Sequence, residues 1–250
     1  MLESPDMANG KNISTQLFLA SNSPRRRELL SLGGWKYEVL NAQVDETPLP
    51  GEDGIKYVQR LAKSKAHTAA IGAGVAGIII AADTSVIDGQ SSGKVMILGK
   101  PRDRDEAMGM LRGLRGHAHQ VHTAIFILNT PDGTELSDLC TTDVPMRNYS
   151  DEEIEAYVAG GDPMDKAGAY AIQHVGFHPV QKLAGCYANV MGLPLCHLTR
   201  NLLKLNIPPL ANVPWACQTA LEYNCPVYPQ ILKEKAGVIL EVNDQRLSLE

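Results

Sequence analysis

Apolar and polar positions along this chain follow two rhythms, one with the two-residue period of strands and one with the 3.6-residue period of helices. The apolar run Leu17-Phe18-Leu19-Ala20 predicts a first strand. The turn Ser21-Asn22-Ser23-Pro24 follows, with Ser23 suited to a helix N-cap and Pro24 to the first helical position. Gly33-Gly34 stops that helix, and Trp35 to Val44 predicts a second strand running into Asp45-Glu46-Thr47-Pro48. From Ile55 to His67 the rhythm is helical: Ile55, Val58, Leu61, Ala62 and Ala66 form one stripe, and Lys56, Arg60 and Lys63 fall opposite, towards solvent. Lys65 falls on the apolar stripe instead.

The stretch Ile78 to Ile87 reads as a strand buried on both faces, closed by Asp88-Gly89 and returning through Val95 to Leu98. Asp103 to Arg115 predicts a helix with Ala107, Leu111 and Leu114 inward. Two strands follow, one through Leu128 and one from Glu135 to Met146, joined by the turn residues Asn129 to Gly133. Ser150 and Glu153 form a capping box for a helix to Val158, and the last clear helix lies within Gly192 to Leu205. Strands alternating with helices predict an α/β fold. Residues 1–16 show no hydrophobic period and read as a loose arm. From Pro208 the periodicity is weak and assigns no role.

Composition narrows the function classes. At 250 residues and 44% hydrophobic, the chain holds a full core. Its net charge of −5 argues against stable nucleic-acid binding, which needs a basic footprint. Its apolar runs are too short to cross a bilayer, and Met1 to Gly10 has no signal-peptide pattern. Five cysteines without a C-x-x-C pair predict neither a disulfide scaffold nor a zinc ribbon, and point to a reducing, cytoplasmic location. Gly72 to Gly77 lacks the spacing of a nucleotide-binding glycine loop.

The candidate chemistry centres on Asp83, a carboxylate inside the most apolar strand. An ionised carboxylate there needs a metal ion or a basic side chain beside it, unless it faces solvent at a strand end or joins a structural salt bridge. Lys65 either snorkels out to water or meets an anion in a cleft. Arg25, Arg26 and Arg27 sit in the first turn of a helix, where cations oppose the helix dipole, so either a phosphate lies beside them or they point into water. Of the neighbours Asp45 and Glu46, extended backbone lets at most one enter a site. Lys100 lies in the loop Gly99-Lys100-Pro101. Gln173 closes the stretch Met164 to Gln173, whose small residues let the backbone approach something closely, and offers both donor and acceptor to a base edge. His117 and His119 share a strand face and His122 does not, so a three-histidine metal site fails and the histidines read as structural or solvated.

Taken in order, these segments resemble the Maf family of nucleotide pyrophosphatases over Leu17 to Leu205. The resemblance rests on Ser21-Asn22-Ser23-Pro24-Arg25-Arg26, Val44-Asp45-Glu46, Arg60-Leu61-Ala62 with Lys65, Ala82-Asp83-Thr84, Gly99-Lys100-Pro101, His119-Gln120-Val121 with Thr123, Asp165-Lys166-Ala167-Gly168 with Ala171-Ile172-Gln173, and Asn189-Val190 with Gly192 to Leu195. It implies an inosine-triphosphatase-like fold: a long mixed sheet flanked by helices, with two lobes around a cleft. It implies hydrolysis of a nucleoside triphosphate to the monophosphate and pyrophosphate with a divalent cation, Mg2+ or Mn2+, in a cytoplasmic homodimer. Asp83 takes the proton-acceptor position, with Glu46, Lys65 and Lys100 as charged cleft residues, and Asp83 and Glu46 are the candidate metal ligands. Arg25, Thr84 and Gln173 take positions tied to substrate choice, with Ser21 and Arg26 beside them. The Ala-Ile-Gln form at Gln173 resembles the dTTP/UTP branch, although His174 replaces that branch's usual glycine. Hydrolysis of 7-methyl-GTP or another modified nucleotide, or a regulatory role in cell division without turnover, are the alternatives. On this reading the chain divides into an arm (1–16), the Maf-like domain (17–205) and an extension of unknown role (206–250).

Overall fold

The computed structural model describes residues 16–89 and 96–233. The arm before Gln16, the predicted returning residue Val95 and the last seventeen positions lie outside the described residues. Six strands form one mixed sheet in the order β2-β1-β3-β5-β6, with β4 paired to β3. Strand β1 (Leu17–Ala20) runs parallel to both β2 (Tyr37–Leu40) and β3 (Ile78–Asp88). Strands β5 (Ala118–Asn129) and β6 (Thr134–Pro145) continue it antiparallel, and β4 (Met96–Leu98) pairs antiparallel with the far end of β3. Helix α1 (Pro24–Ser31) connects β1 to β2, and α2 (Gly54–Ala73) leads from the second strand back to β3.

Strand parity decides which helix each β3 residue meets. Ile78, Ile80 and Ala82 face a core with Leu29 and Leu30 of α1 and Leu198 and Leu202 of α6 (Leu195–Lys204). Ile79 and Ala81 face the other way, onto Val58, Leu61, Ala62 and Ala66 of α2. Further along, Val86 joins a third core with α3 (Arg104–Leu114) and α4 (Asp151–Ala159). The long strands β3 and β5 therefore carry helices at both ends, and the gap between those packed ends is the cleft.

Several expectations change. The second strand stops at Leu40 rather than Val44, because the chain beyond it leaves the sheet as a mostly exposed loop. Helix α2 starts one residue early, capped by the Asp53 side chain, and runs on to Ala73, where Gly74 takes a left-handed conformation. Ile55 is not on the buried face: it is exposed at the stripe's edge, and Tyr57 is buried instead. Arg60 does not simply point into water. It grips Glu52 with two hydrogen bonds of 2.6 and 2.7 Å and donates to the Thr47 carbonyl, bracing the loop after β2. Lys63 pairs with Glu135 at 2.6 Å.

The segment after α6 is packed, despite its weak period. Helices α7 (Val213–Ala220) and α8 (Tyr228–Lys233) follow the short helix α5 (Tyr187–Val190) and α6, and Val213 is buried in the α1-side core. The Trp35 indole N–H donates to the Pro208 carbonyl at 3.1 Å, and the Leu210 amide donates to Gly33. Both helices are short, and proline interrupts their pattern, which hides them from periodicity.

His119 is buried at 3% exposure, with Nε2 2.8 Å from the Tyr170 hydroxyl and no partner for Nδ1 among the described residues. Burial pushes its pKa down to about 4 from the ordinary 6.5. A histidine held neutral in the fold protonates first in the unfolded chain. Stability is therefore complete above pH 6.5 and falls as pH drops towards 4, by up to roughly 3 kcal/mol. The melting temperature is expected to fall between pH 7 and 5, and a His119→Gln variant to show a flatter slope; equal slopes would overturn this.

Candidate active site

One cavity of about 660 Å³ opens at the C-terminal end of β1 and the middle of β3. Crevices beyond the carboxyl ends of parallel strands are the usual ligand sites of α/β sheets. The structure places Ser21, Arg25, Arg26, Glu46, Lys65, Asp83, Thr84, Lys100 and Gln173 around this one cavity. Asp45 and Arg27 are not in its wall.

The parity of β3 builds the centre. Asp83 continues the Ile79–Ala81 face, so it meets α2, and the residue waiting on the buried stripe of α2 is Lys65. Its Nζ donates to Asp83 Oδ1 at 2.5 Å and pairs with Glu46 Oε1 at 2.6 Å. Asp83 thus has the basic partner that its burial requires. Glu46 arrives on the loop after β2, which the Tyr57 hydroxyl holds by donating to the Glu46 carbonyl at 2.8 Å. Burial pushes the Asp83 carboxyl above the usual carboxylate range, against the pull of Lys65 and Arg26. Burial also acts to raise Glu46, but the hydrogen bond and charge of Lys65, with Lys100 and Arg26, outweigh it and hold Glu46 below the usual range. Tyr57 is pushed up to about 12 by burial and by the charges of Asp83 and Glu46, so its phenol stays protonated.

Thr84, one residue on, faces α1. The Arg26 guanidinium donates to Thr84 Oγ1 at 3.0 Å and to the Gly192 carbonyl at 2.7 Å, and Thr84 Oγ1 lies 2.9 Å from Thr123 Oγ1 on β5. Gly192 has φ +104, and a Cβ there would stand 3.1 Å from Thr84 Oγ1 and 3.3 Å from Arg26 Nε. Glycine is what lets this backbone close on the arginine. Arg26 is thus largely tied to the protein frame, and burial lowers its pKa. Arg25 reaches across the cleft instead, 3.2 Å from Asp165.

Lys166 was not singled out by sequence reasoning, yet it is buried and lines the cavity. It sits between two 3-10 turns, Asp162–Asp165 and Ala167–Ala169, whose irregular backbone carries no periodic signal. His174 does not line the cavity. Its Nδ1 accepts from the Phe177 amide at 2.9 Å, and its ring packs edge-on against Tyr157, so this histidine sits behind the wall.

The family model described as Maf-like protein matches residues 16–205. The chain belongs to the Maf family. Among Maf relatives, a dTTP/UTP pyrophosphatase of Anaeromyxobacter dehalogenans is 42% identical over 206 residues, covering 81% of this chain and 98% of that protein. A dTTP/UTP pyrophosphatase of Photorhabdus laumondii is 47% identical over 179 residues, covering 72% and 88%. Among solved structures, a dITP/XTP pyrophosphatase of Mycobacterium abscessus aligns at 16% identity with a TM-score of 0.39, covering 76% of this chain and 94% of that one. The Maf match ends at Leu205, so α7 and α8 lie beyond the family model while packing on its core. Among the described residues no helix is long and apolar enough to cross a membrane.

A divalent cation is implied by the Maf resemblance, and the donor chemistry can be tested against it. Asp83 and Glu46 converge on the same Lys65 nitrogen, so their carboxylates are close enough to share one cation. Hard cations such as Mg2+ take oxygen ligands, commonly one or two carboxylates completed by substrate phosphates and water. Among the described residues no group of three His, Cys, Asp or Glu side chains is arranged to hold a metal alone. The residues fit a cation completed by a nucleotide, not a self-sufficient protein cage.

Proposed function

We propose that this cavity hydrolyses dTTP and UTP to the nucleoside monophosphate and pyrophosphate, removing them from the nucleotide pool. The observation that carries the reading is the buried Asp83–Lys65 pair, joined by Glu46 from the loop after β2, in a cavity also lined by Arg25, Arg26 and Lys100. The names of the Maf relatives support the substrate, and the Ala171-Ile172-Gln173 segment at the wall supplies an amide for a pyrimidine edge.

In the reaction, Asp83 accepts the proton of a water as its oxygen attacks the α-phosphorus, and the bond to the bridging oxygen of the β-phosphate breaks. Lys65, Lys100 and Arg25 offset the charge that grows on the leaving pyrophosphate. Arg26 and Ser21 hold the β1–α1 turn against β3, and Thr84 keeps the guanidinium in place. Asp83 and Glu46 would hold the divalent cation, which when bound polarises phosphate oxygens and lowers the pKa of bound water. The finer expectations of a homodimer and a cytoplasmic location belong to the same proposal; five free thiols support a reducing compartment.

The decisive experiment is a nucleotide panel with Mg2+ present and product analysis. Pyrophosphate and monophosphate from dTTP and UTP are expected, at rates well above those for 7-methyl-GTP. Release of single phosphate, or preference for 7-methyl-GTP, would overturn the assignment. Binding without turnover would favour a regulatory protein.

A further inference from the structure

Tyr157 stands behind the cavity wall and is not part of its lining, yet it is 4% exposed and its hydroxyl makes two short contacts. It donates to Asp162 Oδ2 at 2.7 Å and accepts from the Ala171 amide at 3.0 Å. Ala171 begins the segment that lines the cavity through Gln173. That segment belongs to no strand or helix, so no ladder of backbone bonds holds it. The turn before it contains Gly168 and Ala169 at positive φ, conformations that an alanine does not favour on its own. A buried amide needs an acceptor, and here a side-chain hydroxyl supplies it.

The contact continues beyond Tyr157. Asp162 Oδ1 meets Lys166 Nζ at 3.1 Å, Lys166 meets Asp165 Oδ1 at 2.6 Å, and Asp165 Oδ2 meets Arg25 Nη1 at 3.2 Å. Lys166 also donates to the Asp162 carbonyl. An ammonium has three protons, and these three oxygens take them. Lys166, though it lines the cavity, is therefore a tie between two aspartates rather than a phosphate ligand.

We propose that Tyr157 is a specificity-positioning residue, whose hydroxyl fixes Ala171 so that Ile172 and Gln173 present one shape to the nucleobase. The inference rests on the reading of this cavity as a pyrimidine triphosphate site and names a residue outside it that sets base choice. The ring itself is held separately, stacked on Phe177 with centroids 4.4 Å apart and planes at 11°. Removing only the hydroxyl therefore leaves the packing in place.

Tyr157→Phe in the full chain tests this. The ratio of kcat/KM for dTTP over dGTP is expected to fall about tenfold, the scale of one lost buried hydrogen bond. Inhibition by inorganic tripolyphosphate, which has no base, should stay within twofold. Amide exchange at Ala171, measured without nucleotide, should speed up. An unchanged ratio, an equal weakening of tripolyphosphate inhibition, or unchanged exchange would each overturn the proposal. Should the variant not fold, Asp162→Ala removes the acceptor that orients the hydroxyl and is read by the base ratio and the Ala171 exchange alone, since it also removes one oxygen from Lys166. A wild-type chain with no pyrimidine preference would overturn the functional reading instead, while the exchange measurement would still decide whether Tyr157 anchors the segment.

Discussion

Asp83→Asn is expected to lower kcat for dTTP by about 10³-fold while leaving KM within a few-fold, the scale of losing a positioned general base. The substitution keeps the shape and leaves an oxygen for Lys65, so the β3–α2 packing around it survives. What disappears is the group that takes the proton from water and half of the carboxylate pair available to a cation. Asp83 is suited to this task because only 8% of its side chain is exposed, and burial raises its pKa above that of an ordinary aspartate. A stronger base than a surface carboxylate is thereby obtained. Glu46 is a poorer candidate for the same role, with 46% of its side chain exposed and a carboxyl held below the usual range. Removing a negative charge also eases binding of a polyanion, so any change in KM should be downward. The measurement is steady-state pyrophosphate release together with a melting curve. Near-normal turnover by a folded Asp83→Asn protein would remove Asp83 from the proposed chemistry.

The centre of this site could be read from two periodicities. A two-residue period places Asp83 opposite Thr84 on β3, and a 3.6-residue period places Lys65 on the buried stripe of α2. Their meeting follows once β3 packs on α2, which the apolar faces of both already demand. The arginines of the first turn were equally visible, but their division of labour was not. Arg26 turns to the Gly192 carbonyl, 166 residues away, and Arg25 to Asp165, 140 residues away. No local pattern encodes partners at that separation. The same holds for the Tyr157–Asp162–Lys166 chain, which depends on two 3-10 turns, with Gly161 before the first and Gly168 and Ala169 within the second at positive φ. Residues 41–44 read as strand because Val44 continues the β-formers Val39 and Leu40, yet there the chain has already entered the loop that carries Glu46. Its actual supports, Tyr57 and Arg60, lie on the next helix. The cap residues of α1 and α4 are fully local, and both Ser23 and Ser150 accept from a first-turn amide.

Lys65→Met is expected to injure both catalysis and the fold, and the pH dependence separates its effects from those of Asp83→Asn. Methionine fills the same stem volume on the α2 stripe but leaves Asp83 and Glu46 facing each other without the cation that now lies 2.5 and 2.6 Å from them. Breaking one side of a buried ion pair costs about 3 kcal/mol or more, far above the ~1 kcal/mol of a surface pair. The two carboxylates cannot both stay ionised cheaply, so the folded-state pKa of Asp83 should rise further. An acid whose pKa is raised by folding holds its proton more tightly in the native state. The variant should therefore be least stable at neutral pH and recover stability as pH falls towards the raised pKa. Turnover should drop by about 10²-fold or more through lost stabilisation of the leaving pyrophosphate, and the acid limb of kcat/KM should move to higher pH. Lys65→Arg keeps the charge, but its planar fork does not match a point contact shared by two oxygens, so only partial rescue is expected. A Lys65→Met protein that melts as the wild type does, with an unmoved acid limb, would show that this lysine neither pairs with Asp83 in solution nor sets its basicity.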